Sequence, residues 1–84
     1  MSAVRDVIET VARALADNPD RVTVTETEKG GATLIEVTAA PSDVGKMIGR
    51  QGRTIGAMRT LAAMTGERAG KKVTLEVRDS ELRT

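Results

Sequence analysis

Residues 44–55, Val-Gly-Lys-Met-Ile-Gly-Arg-Gln-Gly-Arg-Thr-Ile, constrain this chain more than any other stretch. Gly49 and Gly52 flank Arg50 and Gln51, and apolar residues at helical spacing lie on both sides. Without a Cβ, a glycine lets the backbone turn sharply and approach a ligand closely. A backbone N–H at the start of the following helix can face an anion, and Arg50 puts a positive charge at the tip of the turn. Two glycines three apart recur often by chance. The flanking helical spacing and basic residues are what make this pattern specific.

At 84 residues the chain is expected to form one small domain with a modest core. It has no cysteine, so a disulfide or thiolate metal site is impossible. It has no histidine either, so no metal site or cofactor is expected. The missing cysteine fits a reducing compartment, and the chain start lacks the basic-then-apolar order of a signal peptide. No apolar run approaches the roughly 18 residues of a membrane span, so a cytoplasmic protein with no membrane partner is expected. Phe, Trp and Tyr are all absent, which excludes aromatic base-stacking platforms. The core must be aliphatic.

The net charge of +1 conceals a local excess. Residues 44–66 hold Lys46, Arg50, Arg53 and Arg59 and no acid, whereas the rest nets −3. Such a patch suits a local anionic partner, although a solvated face would read the same way.

Val4, Ile8, Val11 and Leu15 predict an amphipathic first helix capped by Ser2 and ended by Asn18-Pro19. Residues 21–28 and 33–39 read as two strands joined across Gly30-Gly31, a β-hairpin. Pro41, Ser42 and Asp43 suit a helix entrance, with a short helix over 43–48. A further helix is expected over 53–65, with Ile55, Met58, Leu61 and Ala62 inward and Gly66 as C-terminal cap. Residues 71–78 read as a last strand. The expected order is α-β-β-α-α-β, an α+β domain over residues 1–78 whose three-stranded sheet is covered on one face by three helices. A polar tail over 79–84 follows. Spacing alone does not fix where the last strand joins.

In this order, and in the stretch Asp43-x-Gly45-Lys46-x-Ile48-Gly49-Arg50-Gln51-Gly52-Arg53-x-Ile55-x-Ala57-Met58-Arg59, the chain resembles the type II, prokaryotic KH domain. It is most similar to the small stand-alone bacterial KH proteins of the KhpA type. The resemblance covers roughly residues 1 to 78. It implies a cytoplasmic single-stranded RNA-binding protein and RNA chaperone. It also implies a homodimer, or pairing with a larger KH-containing protein of the Jag or KhpB type, and a link to cell-wall synthesis, cell length and division.

On this reading Gly49 and Gly52 let the loop lie against phosphates. Lys46, Arg50 and Arg53 supply charge, and Gln51 donates a hydrogen bond. Ile48 and Ile55 form an apolar floor opposite a strand edge, in a groove for about four unstacked nucleotides. Ile48 and Ile55 read first as core and can serve as both, while Asp43 reads as a helix cap and Gly45 and Gly56 as packing glycines. Arg59, Arg68, Lys71 and Lys72 are candidate secondary RNA contacts or plain solvated charges.

An enzyme is not expected. General-base chemistry would fall to scattered carboxylates or lysines, and the glycine spacing matches neither a Walker loop nor a dinucleotide fingerprint. The stronger rival is a protein-interaction module that dimerises through residues 55–65, where Ala57, Ala62 and Ala63 allow close approach and Met58 and Met64 adapt to a partner.

Overall fold

A computed structural model describes residues 2–81. Six elements follow the expected order: α1 Ala3–Leu15, β1 Thr23–Lys29, β2 Ala32–Ala39, α2 Pro41–Ile48, α3 Arg53–Arg68 and β3 Lys72–Asp79. Ser2 caps α1, its Oγ accepting from the Arg5 N–H at 3.1 Å. The helix ends before Asn18-Pro19, but Pro19–Arg21 form a 3-10 turn, which delays β1 to Thr23.

The hairpin pairs antiparallel from Thr23↔Thr38 to Lys29↔Ala32, leaving Gly30-Gly31 as a two-residue turn. β3 joins the other side of β2, in parallel, from Ala32↔Lys72 to Ala39↔Asp79. The strand order is β1-β2-β3, so β2 is central and the sheet is mixed. Parallel neighbours need a long crossover, and here α2, the glycine loop and α3 supply it.

Alternation along the strands puts one face under the helices. Val22, Val24, Thr33, Ile35, Val37, Ala39 and Leu75 are buried, whereas the opposite face carries Thr23, Thr25, Thr27, Lys72, Thr74, Glu76 and Arg78 in water. Leu34, the residue that breaks the alternation of β2, falls on that outer face, half-buried. Val4, Ile8 and Ala12 of α1, Met47 of α2, and Met58 and Ala62 of α3 complete the core. Fully burying each Val, Ile, Leu or Met side chain among these contributes roughly 1.5–3 kcal/mol, and each alanine less.

The structure corrects several local expectations. α3 does not stop at Gly66 but runs through it to Arg68. Gly66 is buried where the helix meets β3. A Cβ there would collide with Val73 and come within 3.1 Å of the Lys71 carbonyl oxygen, so this glycine permits close packing rather than ending the helix. The packing role expected of Gly45 and Gly56 is absent, because a Cβ at either would meet nothing within 4 Å. Asp43 does not cap its own helix. α2 begins earlier, at Pro41, and the buried Asp43 carboxylate turns to the α1–β1 connection instead. Leu61, expected inward, is 40% exposed.

The last strand includes Asp79, and the Ser80 N–H donates to the Ala39 carbonyl at 2.9 Å. The expected tail therefore begins with a paired residue, and residues 82–84 lie outside the described part. An arginine lies at each outer strand: Arg5 Nε donates to the Val24 carbonyl of β1 at 2.9 Å, and Arg59 Nε to the Leu75 carbonyl of β3 at 3.3 Å.

Candidate nucleic-acid interface

The glycine loop is a sharp joint between α2 and α3. Gly49 (φ 78°), Gln51 (φ 57°) and Gly52 (φ 73°) have left-handed backbone. At Gly49 the requirement is absolute, since a Cβ there would clash with the Thr54 side chain and lie 2.8 Å from its backbone nitrogen. Gly52 has open space but the same unfavourable φ for a side chain. The Gly49 N–H closes α2 on the Gly45 carbonyl at 2.8 Å, and the Gly52 N–H bonds the Gly49 carbonyl at 3.1 Å. The two glycine N–H groups are thus met by the backbone of the turn and of α2. No side chain caps the start of α3.

Around this joint the expected residues fall into three groups. Arg50, Gln51 and Arg53 are exposed, with Arg53 Nη2 donating to Gln51 Oε1 at 3.3 Å. Among the described residues neither arginine has an acidic partner within ion-pair distance. Ile48 at the end of α2 is 39% exposed, while Ile55 is half-buried and packs on the core. The two isoleucines differ: Ile48 presents apolar surface to water, and Ile55 belongs mostly to the core. Arg59 lies one turn beyond Ile55 and reaches the β3 edge through Leu75.

The remaining bases do not join the loop equally. Lys46 contacts the Asp17 carboxylate, which holds its ammonium above the ordinary lysine range. Lys71 is occupied elsewhere, bonding Glu28 at 2.6 Å and Glu26 at 3.2 Å; these two carboxylates raise its pKa. It belongs to a cluster with Ser2 and Arg5, away from the glycine loop. Arg68 and Lys72 have no acidic partner among the described residues and sit at the far end of α3 and the start of β3.

Two features escaped the sequence. One is the pair of carboxylates beside the loop. Asp43 accepts the Asp17 N–H at 3.0 Å, the Asn18 N–H at 2.9 Å and Asn18 Nδ2 at 3.3 Å. The Asp17 bond is the largest influence holding its carboxyl below the usual range, against the opposing effect of burial. A charge count along residues 44–66 cannot see Asp17, which comes from another element. The other is the outward turn of Leu61, expected inward, which joins Met64, already offered to a partner, in an apolar stripe on α3. Leu61 (40% exposed) and Met64 (60%) line a shallow groove with Thr65, Glu67 and Arg68.

Residues 5–77 match the family described as KhpA/KhpB, KH domain. The chain belongs to that family. The RNA-binding protein KhpA of Aquifex aeolicus is 44% identical over 77 residues, covering 92% of this chain and 98% of its own length. That of Caldanaerobacter subterraneus subsp. tengcongensis is 42% identical over 72 residues, covering 86% and 96%. Among solved structures, Era in complex with MgGDPNP and nucleotides 1506–1542 of 16S ribosomal RNA superposes with a TM-score of 0.64 at 18% identity. Era of Aquifex aeolicus bound to GDP and aluminium fluoride gives 0.63 at 17%. Each match covers 90% of this chain but only 29% of the Era chain, so the likeness is one of fold. The α+β architecture with a mixed three-stranded sheet is the type II KH fold.

Proposed function

We propose that this protein binds single-stranded RNA at the Gly49–Gly52 loop. The observation that carries the reading is a left-handed loop bearing exposed arginines without acidic partners among the described residues, beside the half-exposed Ile48, in a chain of the KhpA/KhpB family. Relatives 44% and 42% identical over most of their length are named RNA-binding proteins. Gly49 and Gly52 keep side chains out of the way of a phosphate backbone, while Arg50, Arg53 and Lys46 attract it. Gln51 hydrogen-bonds phosphate or sugar, and Ile48 and Ile55 support unstacked bases against the β3 edge. Arg59 at that edge, and Arg68 and Lys72 beyond it, extend the positive track. Lys71 is left out, because Glu26 and Glu28 hold it. Binding is the whole of the mechanism, with no bond made or broken.

One groove for about four nucleotides gives limited affinity, and a second groove on the same RNA raises it by effective concentration. This favours a homodimer or a pair with a larger KH protein of the Jag/KhpB type, and from the family resemblance alone we extend the reading to an RNA-chaperone role in the cytoplasm and a link to cell-wall and cell-length control. Among the described residues no helix is long and apolar enough to cross a membrane.

The rival reading, a dimerisation module, draws on exposed Leu61 and Met64. Met58 and Ala62 are buried within one chain and unavailable to a partner, so Ala57, Leu61, Ala63 and Met64 are the exposed candidates. Fluorescence anisotropy with labelled oligouridylate, comparing the parent with the double variant Arg50→Asp, Gln51→Asp, tests the first reading. The variant should fold by circular dichroism and lose binding. A folded variant that binds as well as the parent places the clamp elsewhere.

A further inference from the structure

Lys46 lies one helical turn before the glycine loop, and its ammonium is already engaged by Asp17. Asp17 comes from the α1–β1 connection, and its position there is not accidental. Asp43, on α2 three residues before Lys46, is fully buried and holds the main-chain N–H groups of Asp17 and Asn18. These bonds fix the connection against α2 through the backbone. The Asp17 side chain is therefore not needed for that attachment, yet it is set down on Lys46. The pair is open to solvent, with Lys46 45% and Asp17 73% exposed. Exposed pairs of this kind add little to stability. A phosphate approaching Lys46 must displace Asp17 or share the ammonium with a like charge.

We propose that Asp17 sets the affinity of the protein for RNA by competing with phosphate for Lys46. This deepens the RNA-binding reading above and rests on it. The bland alternative, a surface ion pair that staples α1 to α2, is already served by Asp43. Asp17→Asn keeps the main-chain N–H that Asp43 accepts, so it removes the competitor and spares the attachment.

The experiment measures anisotropy of labelled oligouridylate across a salt series for the parent, Asp17→Asn, Lys46→Met and the double variant. Asp20→Asn serves as a charge-matched control from the neighbouring turn. Asp17→Asn should tighten binding by about two- to fivefold at low salt, the span of one exposed ion pair. Its log–log salt slope should steepen by roughly 0.7, one further phosphate contact on a single strand. In the Lys46→Met background most of the gain should vanish, and Asp20→Asn should give less than Asp17→Asn. No gain from Asp17→Asn, an equal gain from Asp20→Asn, or an undiminished gain without Lys46 overturns the competition while RNA binding stands. A parent that does not bind oligouridylate overturns the RNA reading and this proposal together.

Discussion

Around α1 and β1, acids and bases answer one another. Glu9 sits between Arg5 at 2.9 Å and Arg13 at 3.0 Å, and Lys71 bridges Glu26 and Glu28. Most of the apolar face of α1 is covered, with Val4, Ile8 and Ala12 buried and only its last residue, Leu15, as open to water as Ile48. Around α2, the glycine loop and α3 the balance is different. Arg50, Arg53 and Arg68 have no acidic partner among the described residues, and Ile48, Leu61 and Met64 face water. The first side spends its charges on its own fold. The second leaves charge and apolar surface open to water, and the reserve that the proposed RNA binding would draw on lies there.

That contrast can be broken most directly in the core. Ile8→Ala on the α1 side should cost about 2–5 kcal/mol, the usual penalty of such a truncation. A domain of this size has roughly 4–12 kcal/mol in total, so denaturant unfolding should show a large loss, and a loss under about 1 kcal/mol would mean that α1 is loosely docked. Gly66→Ala comes next, because it lies on the inner side of α3. Overpacking against Val73 and the Lys71 carbonyl costs about 1–3 kcal/mol, partly offset by the better helix propensity of alanine, about 1 kcal/mol. A net stabilisation would show that β3 yields easily.

Acid should act through the partnered carboxylates, Glu9 and Glu26 on the α1–β1 side and the buried Asp43 of α2. Asp43, Glu26 and Glu9 all have lowered pKa values, from their hydrogen bonds to the Asp17 N–H, to Ser2 and to Arg5 respectively. Their stabilisation is fully present above the ordinary carboxylate values of 3.8 and 4.5 and is lost as pH falls through the lower folded values. Tm should therefore fall steadily below about pH 4. With no histidine in the chain, oligouridylate affinity should stay flat from pH 5 to 8. A Tm unchanged down to pH 2 would show that these bonds add nothing to folding. The smallest effect belongs to the reserve side: Leu61→Ala should change unfolding free energy by no more than about 0.5 kcal/mol. If sedimentation at tens of micromolar shows a dimer that this substitution dissociates, the apolar reserve serves a second copy.

Much of this was legible because it is local. The glycine loop, the Ser2 cap and the Gly30-Gly31 hairpin each depend on residues within a few positions, and each stands where the spacing places it. What was not legible depends on elements meeting. Gly66 resembles a helix stop in one dimension and is a contact in three. Met58 and Leu61 both fit an inward stripe, and only the lie of α3 over β3 decides that Met58 is buried and Leu61 is not. The parallel joining of β3 to β2 follows from the crossover, which no strand pattern encodes. Lys46 looked like a free cation because its acid lies 29 residues upstream.

The two arginines at the outer strands bear on how the molecule survives at high concentration. A three-stranded sheet has two borders, and each offers unpaired backbone groups to any stray strand. Arg5 occupies the Val24 carbonyl on one border and Arg59 the Leu75 carbonyl on the other. A strand from a second molecule would have to dislodge a charged side chain before it could pair, and would then be left beside that charge. The same two contacts therefore guard the protein against edge-to-edge aggregation and fibril growth.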